Sequence, residues 1–480
     1  MIKVLRFRIV VPVVFFLCVM TAIASPAQNF RTLLNFDGTD GANPNATLIQ
    51  GPDGNFYGTT EFGGPRSAGT VFKITPSGTL KTLYTFPNFS DGCNPMAGLV
   101  LGRDGNFYGT TATCGVASNS CTFGCGTAFK ITPDGVWTRV HTFNATDGYQ
   151  PAASMIQGSN GNFYGITEFG GTNNLGVVFE MTPAGKVTVL HSFAGFPAEG
   201  AFPIGGVVQA PNGTLFGTTE RGGSSQACET FSGVFGCGTV FKIGPSGGTL
   251  TVLHSFDTSD GALPDGGLAQ VGGSLYGTTS DVATSTFGTV YKITPTGTLT
   301  TLYNFCSQAG CADGAFPFSG LVKATDGNLY GTTEQAGTGG GGTVFEITTA
   351  GDLTTLHSFD SSDGAAPFGG LLQATNGGFY GTTSVGGTNE ADGTIFNVSV
   401  GLRRFVQTNP SSGTVGTSVM ILGNALTGAS AVTFNGTPAT FTVVSPTQIK
   451  AQVPSGATSG IVKVATPKGT LTSNAVFQVK

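Results

Sequence analysis

Between residues 40 and 86 the chain alternates short apolar runs with polar turns. "ATLIQ" (46–50), "NFYGTT" (55–60), "GTVFKIT" (69–75) and "TLKTLYTF" (79–86) are separated by segments such as Pro-Asp-Gly-Asn and Pro-Ser-Gly. Runs of this length, rich in β-branched and aromatic residues and joined by tight-turn residues, predict four antiparallel strands, here called a, b, c and d in chain order. The unit recurs. "DGNFYGTT" stands at 53–60 and 104–111, with near-copies at 160–167, 212–219, 272–279, 326–333 and 376–383. An acidic residue before Gly, then two residues and Pro, opens each unit: Asp40, Asp91, Asp147, Glu199, Asp260, Asp313 and Asp363. The spacings are 51, 56, 52, 61, 53 and 50.

Four strands at a period near 50, written seven times, predict the blades of a β-propeller. The seventh unit ends at "GTIFNVSVG" (393–401) without a strand d. "NFRTLLNFDGTDGANP" (29–44) matches "TLKTLYTFPNFSDGCNP" (79–95), so 29–36 is expected to supply the missing strand and close the ring, which removes the exposed sheet edges. "LRRFVQT" (402–408) is the competing candidate. Tyr57 and its equivalents are expected between blades. Gly58 would permit a close approach, and Thr47, Gly98, Ser154, Gly206, Gly267, Gly320 and Gly370 suit a crowded axis. From about Phe405 the repeat disappears, and the remainder holds about six short strands with Gly, Pro and Asn turns. The fold class expected is all-β: a seven-bladed β-propeller of four-stranded blades over 28–401, then an immunoglobulin-like β-sandwich over 402–480.

Composition changes the picture in three places. Gly is 77 of 480 residues and charged residues are 10%, yet 39% are hydrophobic, so the chain is neither collagen-like nor disordered. A formal net charge of −5 without any basic stripe gives no footprint for nucleic acid. Lys3, Arg6 and Arg8, an apolar run from Ile9 to about Met20, and small residues up to Ala24 and Ala27 read as a signal peptide over 1–27. That run is too short to span a membrane comfortably, and no second one follows. The mature chain is therefore expected to be secreted or held in the cell envelope, with no membrane span. Nine Cys less Cys18 leaves eight, which favours disulfides in an exported chain.

In an a-b-c-d blade the d–a and b–c loops share one face, and the a–b and c–d turns share the other. Cys93, Cys306 and Cys311 fall in d–a loops; Cys114, Cys121, Cys125, Cys228 and Cys237 fall in b–c loops. One face is thus elaborated and stapled, which is where binding usually sits. Cys306–Cys311 and Cys228–Cys237 are the local pairs. The other four allow three connectivities, of which Cys93–Cys114 with Cys121–Cys125 is favoured because 93 and 114 lie in adjacent loops of one blade. A zinc site is the weaker reading of cysteines scattered over three units.

Acids gather on the same face. Seven belong to the turn motif, and Glu61, Glu168, Glu220 and Glu334 open b–c loops; these four are the candidate ligand-binding residues. Such a ring could bind calcium or act as acid and base on a polysaccharide, but an Asp before Gly is first of all a turn former. His141, His191, His254 and His357 fill one strand-d position, occupied elsewhere by Tyr84 and Tyr303, and read as packing. Gln50, Gln157, Gln209, Gln270 and Gln373 recur at the end of strand a, with channel lining and local backbone bonding equally open. Nucleophile, zinc-protease and phosphate-loop motifs are absent, and no acid pair or histidine stands out from the repeat.

The "(D/N)GNFYGTT", "GTVFKITPSGTL" and Asp-Gly-x-x-Pro elements resemble the GloVer tandem repeat of exported bacterial proteins with a choice of C-terminal anchor, over about 36–401. "NPSSGTVGTSVMILG", "VTFNGTPATF" and "VPSGATSGIVKV" resemble an IPT/TIG domain. These resemblances imply an envelope or secreted protein built for display or binding, and carry over no catalytic residue. The function expected is non-enzymatic binding of a carbohydrate or protein on the looped face, with no cofactor beyond the calcium that the acid ring could hold. The rival is a hydrolase or lyase acting on an extracellular polysaccharide through acids of that face.

Overall fold

The structure is a computed structural model that describes residues 29–480 except 88, 116–120, 229–232, 282–286 and 390; the expected leader lies outside the described residues. Blade 1 is built from Ile49–Gln50, Phe56–Thr60, Thr70–Ile74 and Leu80–Thr85, hydrogen-bonded in that order. Blades 2 to 6 repeat this order over 100–142, 156–192, 207–255, 269–304 and 322–358. Blade 7 takes Leu372–Gln373, Phe379–Thr383 and Thr394–Ser399 from one end of the repeat region and Asn29–Asn35 from the other. Residues 29–35 run antiparallel to 394–399, from Asn29 opposite Ser399 to Asn35 opposite Thr394. The 402–408 segment goes instead to the sandwich, where Gln407–Asn409 pairs with Ser418–Leu422.

The repeated octapeptide is the buried second strand of every blade. Its Tyr stacks on the Phe that opens strand b of the next blade: Tyr57 on Phe107 at 4.0 Å between ring centroids, Tyr108 on Phe163 at 4.3 Å, Tyr330 on Phe379 at 4.1 Å. Offset aromatic pairs of this kind add to the burial they already provide. The Gly makes room within its own blade. A Cβ on Gly58 would lie 2.6 Å from the Phe72 ring and 2.8 Å from Leu48. The following threonines tie strands and blades: Thr60 and Thr70 hydroxyls meet at 2.8 Å within blade 1, and Thr59 donates to the Ala97 carbonyl of blade 2 at 3.0 Å.

At the axis the starts of the seven a strands converge and line one recess. The approach is tight: a Cβ on Gly98 would stand 2.8 Å from both Ser154 Oγ and the Thr47 carbonyl, and one on Gly320 would lie 2.7 Å from the Gly267 carbonyl.

The sandwich packs a sheet of Gln407–Asn409, Ser418–Leu422, Phe441–Ser445 and Gln448–Gln452 against a second one containing Ala431–Phe434, Gly460–Thr466 and Gly469–Val479. Val419, Ile421, Ile449, Val462, Val464 and Phe477 form its core. It seats on the plain face of the ring, over blades 7, 1 and 2. The Phe405 N–H donates to the Thr375 carbonyl, Asn424 Nδ2 to Thr375 Oγ1 at 2.6 Å, Thr447 Oγ1 to the Pro52 carbonyl at 2.8 Å, and Asn409 Nδ2 to the Leu101 carbonyl at 2.9 Å. Leu422 buries itself against the core shared by blades 1 and 2. Among the described residues no helix is long and apolar enough to cross a membrane.

Candidate functional site

The looped face carries the site residues expected from sequence, and the structure divides them into two groups. The acids of the opening turns have structural partners. Tyr84 donates to Asp91 at 2.7 Å and Tyr303 to Asp313 at 2.8 Å. His141 meets Asp147 at 3.1 Å, His191 meets Glu199 at 2.7 Å, His254 meets Asp260 at 2.7 Å and His357 meets Asp363 at 2.8 Å. Each carboxylate thus clips the outer strand of one blade to the loop that enters the next. The same rings meet a Phe two residues on in edge-to-face contact, as His254 does Phe256 at 4.9 Å. Asp40 differs, because Leu34 fills the strand-d position; it accepts instead from the Asp37 N–H. With its carboxyl half-buried beside Asp37, its pKa is raised.

The glutamates that open the b–c loops stand further in. Asn45 donates to Glu61 at 2.6 Å, Gln150 to Glu168 at 2.8 Å, Arg221 to Glu220 at 3.2 Å and Gln335 to Glu334 at 3.3 Å. Burial raises the pKa of all four. It is highest for Glu168, pushed up to about 7 by burial and then by the charge of Glu220. Burial also raises the pKa of Asp265, at the start of strand a in blade 5, well above the usual range, with Glu220 adding to the effect. Asp265 accepts from Ser280 through one carboxylate oxygen, and its other, Oδ1, is enclosed without a hydrogen-bond partner. Among the described residues no three His, Cys, Asp or Glu side chains come together as a metal site requires.

The four disulfides all stand in the looped face: Cys93–Cys114, Cys121–Cys125, Cys228–Cys237 and Cys306–Cys311. The first joins the loop entering blade 2 to the b–c loop of that blade. Beside it lies a mainly apolar recess of about 610 Å³, bordered by Phe62, Arg66, Pro87, Phe89 and Phe123. Phe89 is 72% exposed and Phe123 79%. The backbone holds them there: the Cys114 N–H donates to the Phe123 carbonyl and the Gly115 N–H to the Phe89 carbonyl.

With this repeat geometry in place, family comparison decides the kinship. The model of the Gloeobacter/Verrucomicrobia repeat matches residues 19–123, 112–310 and 227–438. The chain belongs to the Gloeobacter/Verrucomicrobia repeat family. Its C-terminal sandwich matches the IPT/TIG domain over 405–479. No curated protein matches the sequence. Among solved structures, the Gloeobacter/Verrucomicrobia repeat protein is similar to a fungal alcohol oxidase in complex with copper, at 13% identity and a TM-score of 0.53, covering 95% of this chain and 100% of the oxidase. A gluconolactonase from Xanthomonas campestris (12% identity, TM-score 0.40) covers 79% of this chain and 92% of its own. The PQQ-bound aldose sugar dehydrogenase of Streptomyces coelicolor (14% identity, TM-score 0.37) covers 78% and 98%. At these identities the likeness concerns the fold alone.

Two features of the repeat protein escaped the sequence. The first is a single acid that stands outside the repeat. Asp265 occupies a position filled elsewhere by Asn45, Met96, Ala152, Ile204, Phe318 and Phe368, and the fold brings it near Glu220 of the preceding blade. Aligning the seven strand-a starts column by column would have exposed it. The second is the duty of the glutamines. Gln50 accepts from the Thr375 N–H, Gln157 from Arg103, Gln209 from Ser159 and Gln373 from Thr325. Each carboxamide therefore pins its blade to the a–b turn of the blade before it.

Proposed function

We propose that this is an exported, non-enzymatic binding protein of the bacterial envelope or exterior, taking its ligand on the disulfide-stapled loop face. The observation that carries the reading is the recess of Phe62, Phe89 and Phe123 beside Cys93–Cys114. Exposed aromatic side chains forfeit burial, and a cluster of them held by a covalent staple is a surface shaped for a partner. Their faces suit the C–H side of a sugar ring or an apolar side chain of a protein. The clipped turn acids support the same reading, because their carboxylates are engaged in holding the blades together. A glycan-array screen of the purified mature protein, followed by a pull-down from envelope extracts, tests it. Phe89→Ala with Phe123→Ala should lower retention of the bound partner at least tenfold while leaving thermal stability unchanged. Unaltered retention would exclude the recess.

One observation favours a second reading. Glu168, Glu220 and Asp265 place acids with raised pKa values at the looped mouth of the axis, and Asp265 is unique to one blade. A protonated acid near an ionised one is the pairing a glycoside hydrolase or a polysaccharide lyase uses. Release of reducing ends or unsaturated sugars from extracellular polysaccharides, lost in Asp265→Asn, would establish it.

A further inference from the structure

The opposite end of the axis holds a second cleft. It measures about 460 Å³ and lies between the plain face of the ring and the sandwich. The sandwich is fastened to blades 7, 1 and 2, so the cleft is lined on the ring side by blades 1 to 5.

Its lining includes one glutamine that the ring does not use. In four blades the carboxamide oxygen takes the N–H of the residue two places after the equivalent strand-a position of the preceding blade. For Gln270 that residue is Pro211, which has no N–H to give. Three of the pinned glutamines also donate to a carbonyl four residues on, Gly54, Gly161 and Gly213. Blade 5 has no such carbonyl in reach, because Gln270 pairs with Leu275 and Val271 with Ser274 across a two-residue turn. Gln270 has lost both structural bonds, and no side chain or backbone group among the described residues replaces them. Where the other proline occurs, at Pro52, the next blade has Leu101 instead of glutamine and nothing is left unpaired. Gln407 and Gln478 of the sandwich, likewise without a hydrogen bond from their amides among the described residues, line the same cleft.

The charge balance of the cleft narrows the ligand. Arg103 is its one ionised residue, and its guanidinium is bound to the carbonyls of Gly158 and Ser159, each at 3.1 Å. No carboxylate lines the cleft to hold a cationic ligand, and its single guanidinium is turned onto backbone carbonyls rather than left open to an anion. A neutral, hydroxyl-rich one would find three amides, each offering donor and acceptor together, with Val100, Ile156 and Val476 for its C–H faces. A peptide is the poorer fit. Of the sandwich strands bordering the cleft, the one over 469–479 is met on its outer side by Val406 and by Ser412–Gly413, and Gln407–Asn409 is only three residues long. That leaves only a short backbone row for an added strand. The cleft also continues past Ser159, Gln209 and Pro211 into a recess of about 440 Å³ bordered by one carboxylate and one ammonium, Glu180 and Lys480, which adds no net charge and suits a chain longer than one sugar.

We propose that the cleft between ring and sandwich binds a neutral oligosaccharide through the unpinned amide of Gln270 together with Gln407 and Gln478. This site is separate from the looped-face recess. The probes are neutral gluco-, xylo-, manno- and chito-oligosaccharides, titrated calorimetrically into the full mature protein. One series should bind, and Gln270→Ala should weaken it at least tenfold with an unchanged Tm, because that amide holds nothing in the fold. Gln157→Ala, which removes a pin, should instead lower the Tm. Pro211→Ala restores the missing N–H, so it should draw Gln270 back into the ring and weaken binding several-fold in a folded protein. Phe89→Ala with Phe123→Ala should leave this binding intact, which separates it from the looped-face reading. Absence of binding by every series, or binding indifferent to Gln270→Ala, overturns the proposal.

Discussion

Glu168 is an acid that the fold makes harder to ionise. Its pKa rises from an ordinary 4.5 to about 7, first through burial and then through Glu220. The folded chain therefore holds this proton more tightly than the unfolded one. By linkage, the group's contribution to stability falls as pH rises through the window from 4.5 to about 7. Glu168→Gln keeps a carbonyl to accept from Gln150 and carries no charge. It should flatten the decline of Tm over that window and raise the Tm at pH 7.5 by about 2 °C or more. A variant whose melting curve tracks the wild type from pH 4.5 to 7.5 would show that the carboxyl is not strained. The turn acids behave differently. Asp363 accepts from His357 and from the Asp360 N–H, so Asp363→Ala should cost about 1–2 kcal/mol in denaturant unfolding without altering ligand retention.

At the scale of elements, the strands were readable because the apolar runs, their turn residues and their sevenfold return all agreed. The Tyr57-type contacts followed from the same pattern, as did the crowding at Gly98 and Gly320. What lay hidden was pairing across blades. His141 and Asp147 are six residues apart, and their register can be read only once strand d is known to run beside the turn. Gln50 and Thr375 lie at opposite ends of the repeat region, and a single unit holds no sign of their bond. Asp265 was hidden for the opposite reason, since attention to what recurs passes over what occurs once. The loops yield a prediction of their own. Cys93 and Cys114 stand 21 positions apart in the chain, and breaking their bond with Cys93→Ser and Cys114→Ser should cost about 3 kcal/mol. The same change should release Phe89 and Phe123 and abolish looped-face binding, read as unfolding midpoint and retention in parallel.

For the whole molecule, the ring depends on a strand borrowed from the other end of the repeat region. Removing 29–36 would strip Thr394–Ser399 of its partner and bare Phe396 and Val398, now wholly buried. An unpaired apolar edge recruits other edges. Such a truncation should elute as soluble aggregate on size exclusion, with no cooperative melt, while a chain that keeps 29–36 elutes as a discrete species. The looped-face recess belongs to the ring alone, whereas the amide cleft needs the sandwich in place. Removing 402–480 should therefore abolish oligosaccharide binding at the cleft and spare the aromatic recess.

The glutamine bonds also give the ring a mechanical grain. Four joints are pinned at the plain face: 7 to 1, 2 to 3, 3 to 4 and 6 to 7. The joint between blades 1 and 2, with Pro52 and Leu101, has no such pin, and the sandwich fastens on those same two residues through Thr447 and Asn409. The joints on either side of blade 5 have no glutamine pin at that end; the 4-to-5 joint is bridged instead by Lys242 Nζ, which donates to the Pro295 carbonyl at 3.2 Å. Pulled or warmed, the ring should gape beside blade 5 first, at the 5-to-6 joint ahead of the lysine-bridged 4-to-5 joint, so blade 5 acts as the clasp of an otherwise riveted band, and a ligand lodged against Gln270 would sit where it could help hold the clasp shut.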